Sequence, residues 1–133
     1  MHQPKVSLIM PFFNNKELVG EMINSILANT FEDWELLAID DGSTEETLEY
    51  LSAYQKDSRI KFIKREDKPK GAQSCRNLGM DYAKGVYWIF VDSDDYLTPS
   101  CIGKRVEMIE KRQDLDFMVF PSAVYINDVF EPH

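Results

Sequence analysis

Short apolar runs alternate with amphipathic helical segments along the chain, and this alternation constrains the fold more than any other feature. The apolar runs are Val6–Met10, Trp34–Ile39, Ile60–Ile63, Val86–Val91 and Phe117–Phe120. Strands separated by helices pair in parallel, and strands that are apolar throughout are buried on both faces. We therefore predict an α/β domain with a mostly parallel five-stranded sheet and helices on both faces. Pro11 has no N–H to donate, so it is predicted to end the first strand.

Residues favoured at helix ends predict where the helices begin and stop. Three pairs predict helix starts: Asn14 with Glu17, Ser43 with Glu46, and Thr98 with Pro99. Gly85 is predicted to end a helix over about residues 71–83 in a left-handed cap. Trp34 and Trp88 are predicted to pack in the core.

Composition indicates an ordinary soluble domain. The 133 residues suit a single domain, 1–133, and 44% are hydrophobic and 29% charged. With 15 Lys and Arg against 23 Asp and Glu the net charge is -8, and without a basic run no nucleic acid is expected as a partner. Cys75 and Cys101 have neither disulfide-scaffold density nor zinc-site spacing. The first apolar stretch is too short for a signal peptide or membrane span, so we expect a cytoplasmic location.

Two acidic clusters come directly after predicted strands. Asp40-Asp41-Gly42-Ser43 follows the second strand and Asp92-Ser93-Asp94-Asp95 follows the fourth. The carboxyl ends of parallel strands share one edge, and the usual strand order 3-2-1-4 would bring both clusters to the loop after strand one. Clustered carboxylates repel one another, which predicts a cation there. No glycine-rich dinucleotide fingerprint or Walker sequence occurs, but Mg²⁺ or Mn²⁺ could bridge Asp92 and Asp94 to a diphosphate.

Each motif also has a purely structural interpretation. Asp, Gly and Ser are favoured in turns and helix caps, which alone would explain the first cluster. The second could be a solvated acidic turn, although Tyr96 and Leu97 exclude an EF-hand loop. Arg76 could equally serve in a surface ion pair, and the basic loop over residues 64–70 is typical of a solvated segment. The joint placement of the two clusters favours a functional site.

The motifs together resemble family 2 glycosyltransferases, from about Lys5 to about Pro99. The matching blocks are Val6–Asn14, Ser25–Leu27, Thr30–Glu35, Asp40–Thr44, Gly71–Gly79, Ala83–Gly85 and Asp92–Asp95. The resemblance implies a Rossmann-like GT-A nucleotide-sugar-binding domain of an inverting enzyme. It also implies a nucleotide-sugar donor, UDP being the expected carrier, and a glycan or lipid-linked acceptor.

The resemblance assigns roles to individual residues. It implies donor-binding positions at Pro11, Phe13, Asn15, Glu17, Asp40, Asp41, Arg76, Asp92 and Ser93, and ligands for Mn²⁺ or Mg²⁺ at Asp92, Asp94 and Asp95. Pro11 and Phe13 would line the base pocket, Asp41 would accept a hydrogen bond from a uracil-type ring, and Arg76 would lie near the diphosphate. Phe13 replaces the more usual tyrosine, which keeps the stacking face without the hydroxyl.

In family members the acceptor-binding segment and the catalytic base lie beyond the fifth strand. The late acids Asp114, Asp116, Asp128 and Glu131 match no family block, so no base is assigned. We expect the chain to correspond to the donor-binding portion, truncated after the fifth strand and inactive alone for lack of the base. The strand following Pro121 would then present an open edge that could form a homodimer.

Two other functions remain open from sequence alone. A non-catalytic nucleotide-binding module would keep only the donor site. A receiver-like phospho-acceptor domain also gathers acids on a doubly wound sheet, but it needs an acid pair after the first strand, where this chain has Pro11. That second alternative ranks last.

Overall fold

The computed structural model describes residues 2–66, 69–126 and 129–132. The strands are β1 (Val6–Phe12), β2 (Trp34–Asp40), β3 (Ile60–Lys64), β4 (Tyr87–Phe90), β5 (Ala123–Ile126) and β6 (Val129–Pro132), and the helices are α1 (Lys16–Leu27), α2 (Glu45–Leu51), α3 (Ala72–Tyr82) and α4 (Cys101–Lys111). The first four strands form a parallel sheet in the order β3-β2-β1-β4, which confirms the predicted α/β architecture. No described helix has the length and apolarity needed to cross a membrane.

The core lies on both faces of β1 and β2, which are buried along their whole length. On one face Leu8 and Met10 pack with Ile23 of α1 and Ile102 of α4. On the other face α3 packs over β1 and β2, around Cys75. Burial on both faces explains why these strands are apolar throughout rather than alternating.

The first strand continues through Pro11 to Phe12, so the prediction that Pro11 ends it is wrong. The Ile9 carbonyl accepts a hydrogen bond from Val91 N–H at 3.0 Å, so the backbone of Ile9 faces the β4 side of β1. The backbone nitrogen of Pro11, two residues further on, faces the same side. By then β4 has ended, and no ladder partner needs the missing N–H. The opposite side of β1 still pairs with β2 out to Phe12.

The predicted helix starts are also wrong in detail. The N-cap of α2 is Thr44, one residue later than predicted, and its side chain accepts from Thr47 N–H at 3.3 Å. The helix α4 begins at Cys101 rather than at Pro99. Its N-terminus is capped from elsewhere in the chain, because Asn29 Oδ1 accepts from Ile102 N–H at 3.1 Å.

The predicted strand over residues 117–120 and the predicted burial of Trp88 are both wrong. Phe117 and Val119 are 77% and 85% exposed, and the next strand, β5, pairs antiparallel with β6. Trp88 is 47% exposed because β4 is an edge strand of the described sheet, while α3 packs over β1 and β2. Apolar character predicted both features, but burial also requires a covering element.

Gly85 does not form the predicted left-handed cap. Helix α3 ends instead at Tyr82, and its C-cap residue, Ala83, is already extended. Gly85 N–H donates to Ser7 Oγ at 2.8 Å, and a Cβ on Gly85 would lie 2.4 Å from Ser7 N. The glycine is therefore required by this close backbone approach to β1.

Beside Gly85, Glu35 is buried in a network at the amino-terminal edge of the sheet. Glu35 Oε1 accepts from Ser7 Oγ at 2.6 Å and from Lys84 N–H at 2.8 Å, and Oε2 accepts from Lys61 Nζ at 3.0 Å. Burial alone would raise the pKa of Glu35, but these hydrogen bonds outweigh it and the pKa is lowered. This carboxylate therefore joins β1, β2, β3 and the segment before β4.

We predict that Gly85→Ala destabilises the domain by about 1–3 kcal/mol, because the new methyl group would overlap backbone atoms of β1. Gly103→Ala is the matched control: its Cβ would lie 3.5 Å from Phe31 Cβ, an ordinary contact, and alanine favours a helix. Thermal unfolding of both variants tests this. Equal stability of the two variants would contradict the close-approach argument.

We predict that Glu35→Gln lowers the free energy of unfolding by about 1–3 kcal/mol at pH 7. A lowered folded-state pKa gives stability that is present above the unfolded-state pKa and lost as the pH falls through the folded-state pKa. The difference from wild type should therefore shrink in acid. Urea unfolding at pH 7 and below pH 4 measures it, with exposed Glu32→Gln as control. A pH-independent difference would show that the charge is not the cause.

Candidate functional site

A crevice of about 390 Å³ lies at the carboxyl edge of the sheet. It is lined by Pro11, Phe12, Phe13, Asn15, Leu18, Asp41, Ala72, Asp92, Ser93 and Asp94. These residues come from the end of β1, from the loops after β1, β2 and β4, and from the start of α1 and α3. The topology thus brings both acidic clusters and the first loop to one place.

Four residues singled out from the sequence do not line this crevice. Glu17 is exposed on the first turn of α1, Arg76 pairs with Asp92, and Asp95 is the last residue of the second acidic cluster. Asp40 is buried, and its Oδ1 accepts from Gly42 N–H at 3.2 Å and Ser43 N–H at 2.8 Å. Asp40 therefore shapes the loop that carries Asp41.

Asp41 is a nearly buried carboxylate on the crevice wall, 8% exposed. Its Oδ1 accepts from Arg65 Nε at 2.5 Å, Gly71 N–H at 3.2 Å and Cys75 Sγ at 3.5 Å. Burial alone would raise the pKa of Asp41, but these three donors outweigh it and lower the pKa. Asp41 is therefore ionised at neutral pH and can only accept hydrogen bonds from a ligand.

The partners of Asp41 were not predicted from the sequence, which indicated a solvated loop at Arg65. The signal lies in the register: Asp40 pairs with Lys64, so Arg65 comes next to Asp41 across the β2–β3 ladder. Burial and the carboxylate also raise the pKa of the Cys75 thiol to about 11, so this cysteine remains a neutral S–H donor.

Asn14 joins the first loop to the second, a role that sequence reasoning also missed. Asn14 N–H donates to Ser43 Oγ at 2.8 Å, and Asn14 Oδ1 accepts from Thr44 N–H at 3.0 Å. Asn14 and Asn15 both have left-handed backbone angles, φ 51° and 54°, which asparagine tolerates. The N-cap of α1 is Asn15, so the prediction that Asn14 caps this helix is wrong. Asn14 instead holds the first loop against the two residues that precede α2.

Phe13 also lines the crevice and is 44% exposed. Lys70 Nζ lies 3.9 Å from the ring centroid, close enough for a cation–π interaction. The ring can therefore stack with a planar ligand only where the ligand replaces or shares this contact.

The second acidic cluster offers carboxylate oxygens, which are the ligands that Mg²⁺ and Mn²⁺ prefer. Asp92 and Asp94 line the crevice, and burial together with these two charges raises the pKa of Asp95 behind them. Asp92 Oδ1 accepts from Arg76 Nη2 at 3.1 Å, in an exposed ion pair of small energy. Within the described residues no three His, Cys, Asp or Glu side chains are grouped to hold a metal. A cation here would need further ligands from water or phosphate, as Mg²⁺ commonly has.

Sequence comparison finds related glycosyltransferases. The chain is 38% identical over 111 residues to a glycosyltransferase of Rickettsia felis, covering 84% of this chain and 18% of that protein. It is 36% identical over 113 residues to the UDP-Glc:alpha-D-GlcNAc-diphosphoundecaprenol beta-1,3-glucosyltransferase of Escherichia coli, covering 85% of this chain and 44% of that protein. The chain thus spans less than half the length of these relatives.

The fold and the sequence lead to the same family. Residues 1–349 of Staphylococcus aureus TarS in complex with UDP-GlcNAc match with a TM-score of 0.76 and 26% identity, over 91% of this chain and 38% of that one. The parallel sheet and its helices are therefore those of GT-A glycosyltransferases. The model of glycosyl transferase family 2 matches residues 7–133, and the chain belongs to that family.

Proposed function

We propose that this chain binds the donor of a glycosyltransferase that moves a sugar from a UDP-sugar to an acceptor hydroxyl with inversion at the anomeric carbon. The observation that carries the proposal is the lining of the crevice. Phe13 supplies a flat aromatic ring, Asp41 an ionised carboxylate that accepts hydrogen bonds, and Asp92 and Asp94 a pair of carboxylates. Residues 1–133 would then act as one donor-binding domain.

The base would lie between Phe13 and Asp41. Phe13 and Pro11 offer an apolar surface for stacking, and Asp41 can accept a hydrogen bond from the ring N–H of uracil. The TarS complex with UDP-GlcNAc, which shares this fold at 26% identity, supports a uridine nucleotide. Asn15 and Ser93 line the same crevice and would contact the donor between its base and its diphosphate.

The diphosphate would lie at the second acidic cluster. Asp92 and Asp94, with Asp95 behind them, would hold Mn²⁺ or Mg²⁺. When bound, such a cation neutralises the charge that builds on the departing nucleoside diphosphate. Arg76 stands beside Asp92 and would add a positive charge near the same phosphates.

The acceptor is proposed from the relatives alone. One acts on a diphosphoundecaprenol-linked sugar, and another, from Bacillus spizizenii, is a poly(ribitol-phosphate) beta-glucosyltransferase that is 36% identical over 96 residues. Both names support a lipid-linked or polymeric glycan acceptor. We further propose that the transfer belongs to cell-surface polysaccharide synthesis at the cytoplasmic side of the membrane. The acceptor hydroxyl must lose a proton to a base, and the proposal assigns that base to no residue of this chain.

Calorimetric titration of UDP into the chain tests the donor site. We expect saturable binding in the presence of Mn²⁺, with weaker binding after a chelator removes the metal, because the cation would bridge the carboxylates and the diphosphate. Circular dichroism must show that the protein stays folded in both conditions. A folded protein that binds no UDP at millimolar concentration would contradict the proposal.

Substitution of the metal-site carboxylates tests the ion separately. Asp94→Asn is expected to weaken Mn²⁺-dependent UDP binding by at least about tenfold, since an amide is a poor substitute for a charged ligand. Asp116→Asn removes an exposed acid outside the crevice and should leave binding unchanged. Unchanged UDP binding by Asp94→Asn would show that the ion does not bind at Asp94. An equal loss of binding in both variants would indicate a general charge effect.

A further inference from the structure

We propose that Arg65 is a positioning residue that pins the Asp41 carboxylate, so that the crevice accepts a base with a ring N–H, as in uracil, and rejects cytosine. The inference rests on the proposed donor-binding function and adds the residue that sets base selectivity. Arg65 is not among the residues that line the crevice. It would therefore act through Asp41 rather than by touching the base.

Arg65 holds Asp41 at two points. Its Nε donates to Asp41 Oδ1 at 2.5 Å, and its Nη2 donates to the Asp41 backbone carbonyl at 3.2 Å. The planar guanidinium therefore fixes both the position and the rotation of the carboxylate. The side chains of Arg65 and Asp41 are only 12% and 10% exposed, so water and salt screen this pair little.

The backbone places Arg65 where it can do this. Arg65 N–H donates to the Asp40 carbonyl at 2.9 Å, which extends the β2–β3 pairing by one residue beyond β3. Gly71 N–H and Cys75 Sγ, from the α3 region, donate to the same Oδ1. Rotation of the carboxylate would break three hydrogen bonds that come from two separate elements.

Fixing the carboxylate has a chemical consequence for the base. With Oδ1 occupied by three donors, Oδ2 is the oxygen that can accept from a ligand in the crevice. Uracil presents N3–H as a donor, whereas cytosine presents a lone pair at N3 and its amino group at the adjacent ring position. A pinned carboxylate faces that lone pair and repels it, but a loosened one could shift to the amino group. Sites built around one hydrogen bond reject the analogue that lacks the donor.

The test is the ratio of dissociation constants for UDP and CDP, measured by calorimetry on the 133-residue chain with Mn²⁺. In Arg65→Gln we expect UDP binding to weaken about tenfold, as for loss of a charged hydrogen bond, while CDP binding changes by less than about twofold. Arg65→Lys should lower selectivity less than Arg65→Gln does, because the lysine keeps the positive charge beside Asp41. It should still lower it, because a single ammonium cannot hold both Asp41 Oδ1 and the Asp41 backbone carbonyl. Arg112→Gln, an exposed arginine paired with Asp114, is the matched control and should keep the wild-type ratio.

UDP and CDP share the ribose and the diphosphate, so the ratio isolates the base. If the Arg65 variants weaken both ligands equally, Arg65 acts on phosphate or on folding, and the inference is overturned. An unchanged ratio in folded Arg65→Gln, or in Arg65→Lys where the glutamine variant does not fold, overturns it as well. If the wild-type chain binds neither nucleotide, the proposed function itself fails, which is a different result from a lost ratio.

Discussion

The site depends on the parallel pairing of β1 with β2 on one side and β4 on the other. Phe12 pairs with Asp40, so β1 and β2 end at the same level of the sheet, whereas β4 ends earlier, at Phe90 opposite Ile9. Beyond that point one side of β1 has no strand beside it in the described sheet, and Pro11 has no N–H to extend the ladder there. The crevice opens at this step in the sheet edge, where the loops after all three strands meet.

The wall around Asp41 is organised before any ligand arrives. Asn14 ties the first loop to the start of α2, and Arg65, Gly71 and Cys75 fix the carboxylate from β3 and α3. These contacts join segments that are far apart in the chain, so the loop conformation is determined by tertiary contacts rather than by local propensity. Such preorganisation reduces the entropy lost when a ligand binds.

Periodicity and apolar runs predicted the parallel sheet, because continuous apolar strands between helices imply burial on both faces. The strand order usual for such sheets then placed the crevice at their carboxyl edge. The helix caps were predicted less well, since Asn29 caps α4 from a distant loop. The run at residues 117–120 has strand composition but no pairing partner in the described structure. The sequence indicated that Arg65 is a solvated loop residue, because its contact with Asp41 appears only after β2 and β3 are placed in register.

The two ends of the crevice balance their negative charge in different ways. Asp41 has a nearly buried arginine as a permanent counter-ion, so its charge is compensated within the fold. Among the described residues, Asp92 is paired with the exposed Arg76, and Asp94 and Asp95 add to the same negative charge. An exposed ion pair contributes little energy, so the repulsion within the second cluster is only weakly compensated, and a bound cation would relieve it. This difference in charge compensation supports the proposal that a neutral base binds at Asp41 and that a cation with phosphate binds at Asp92.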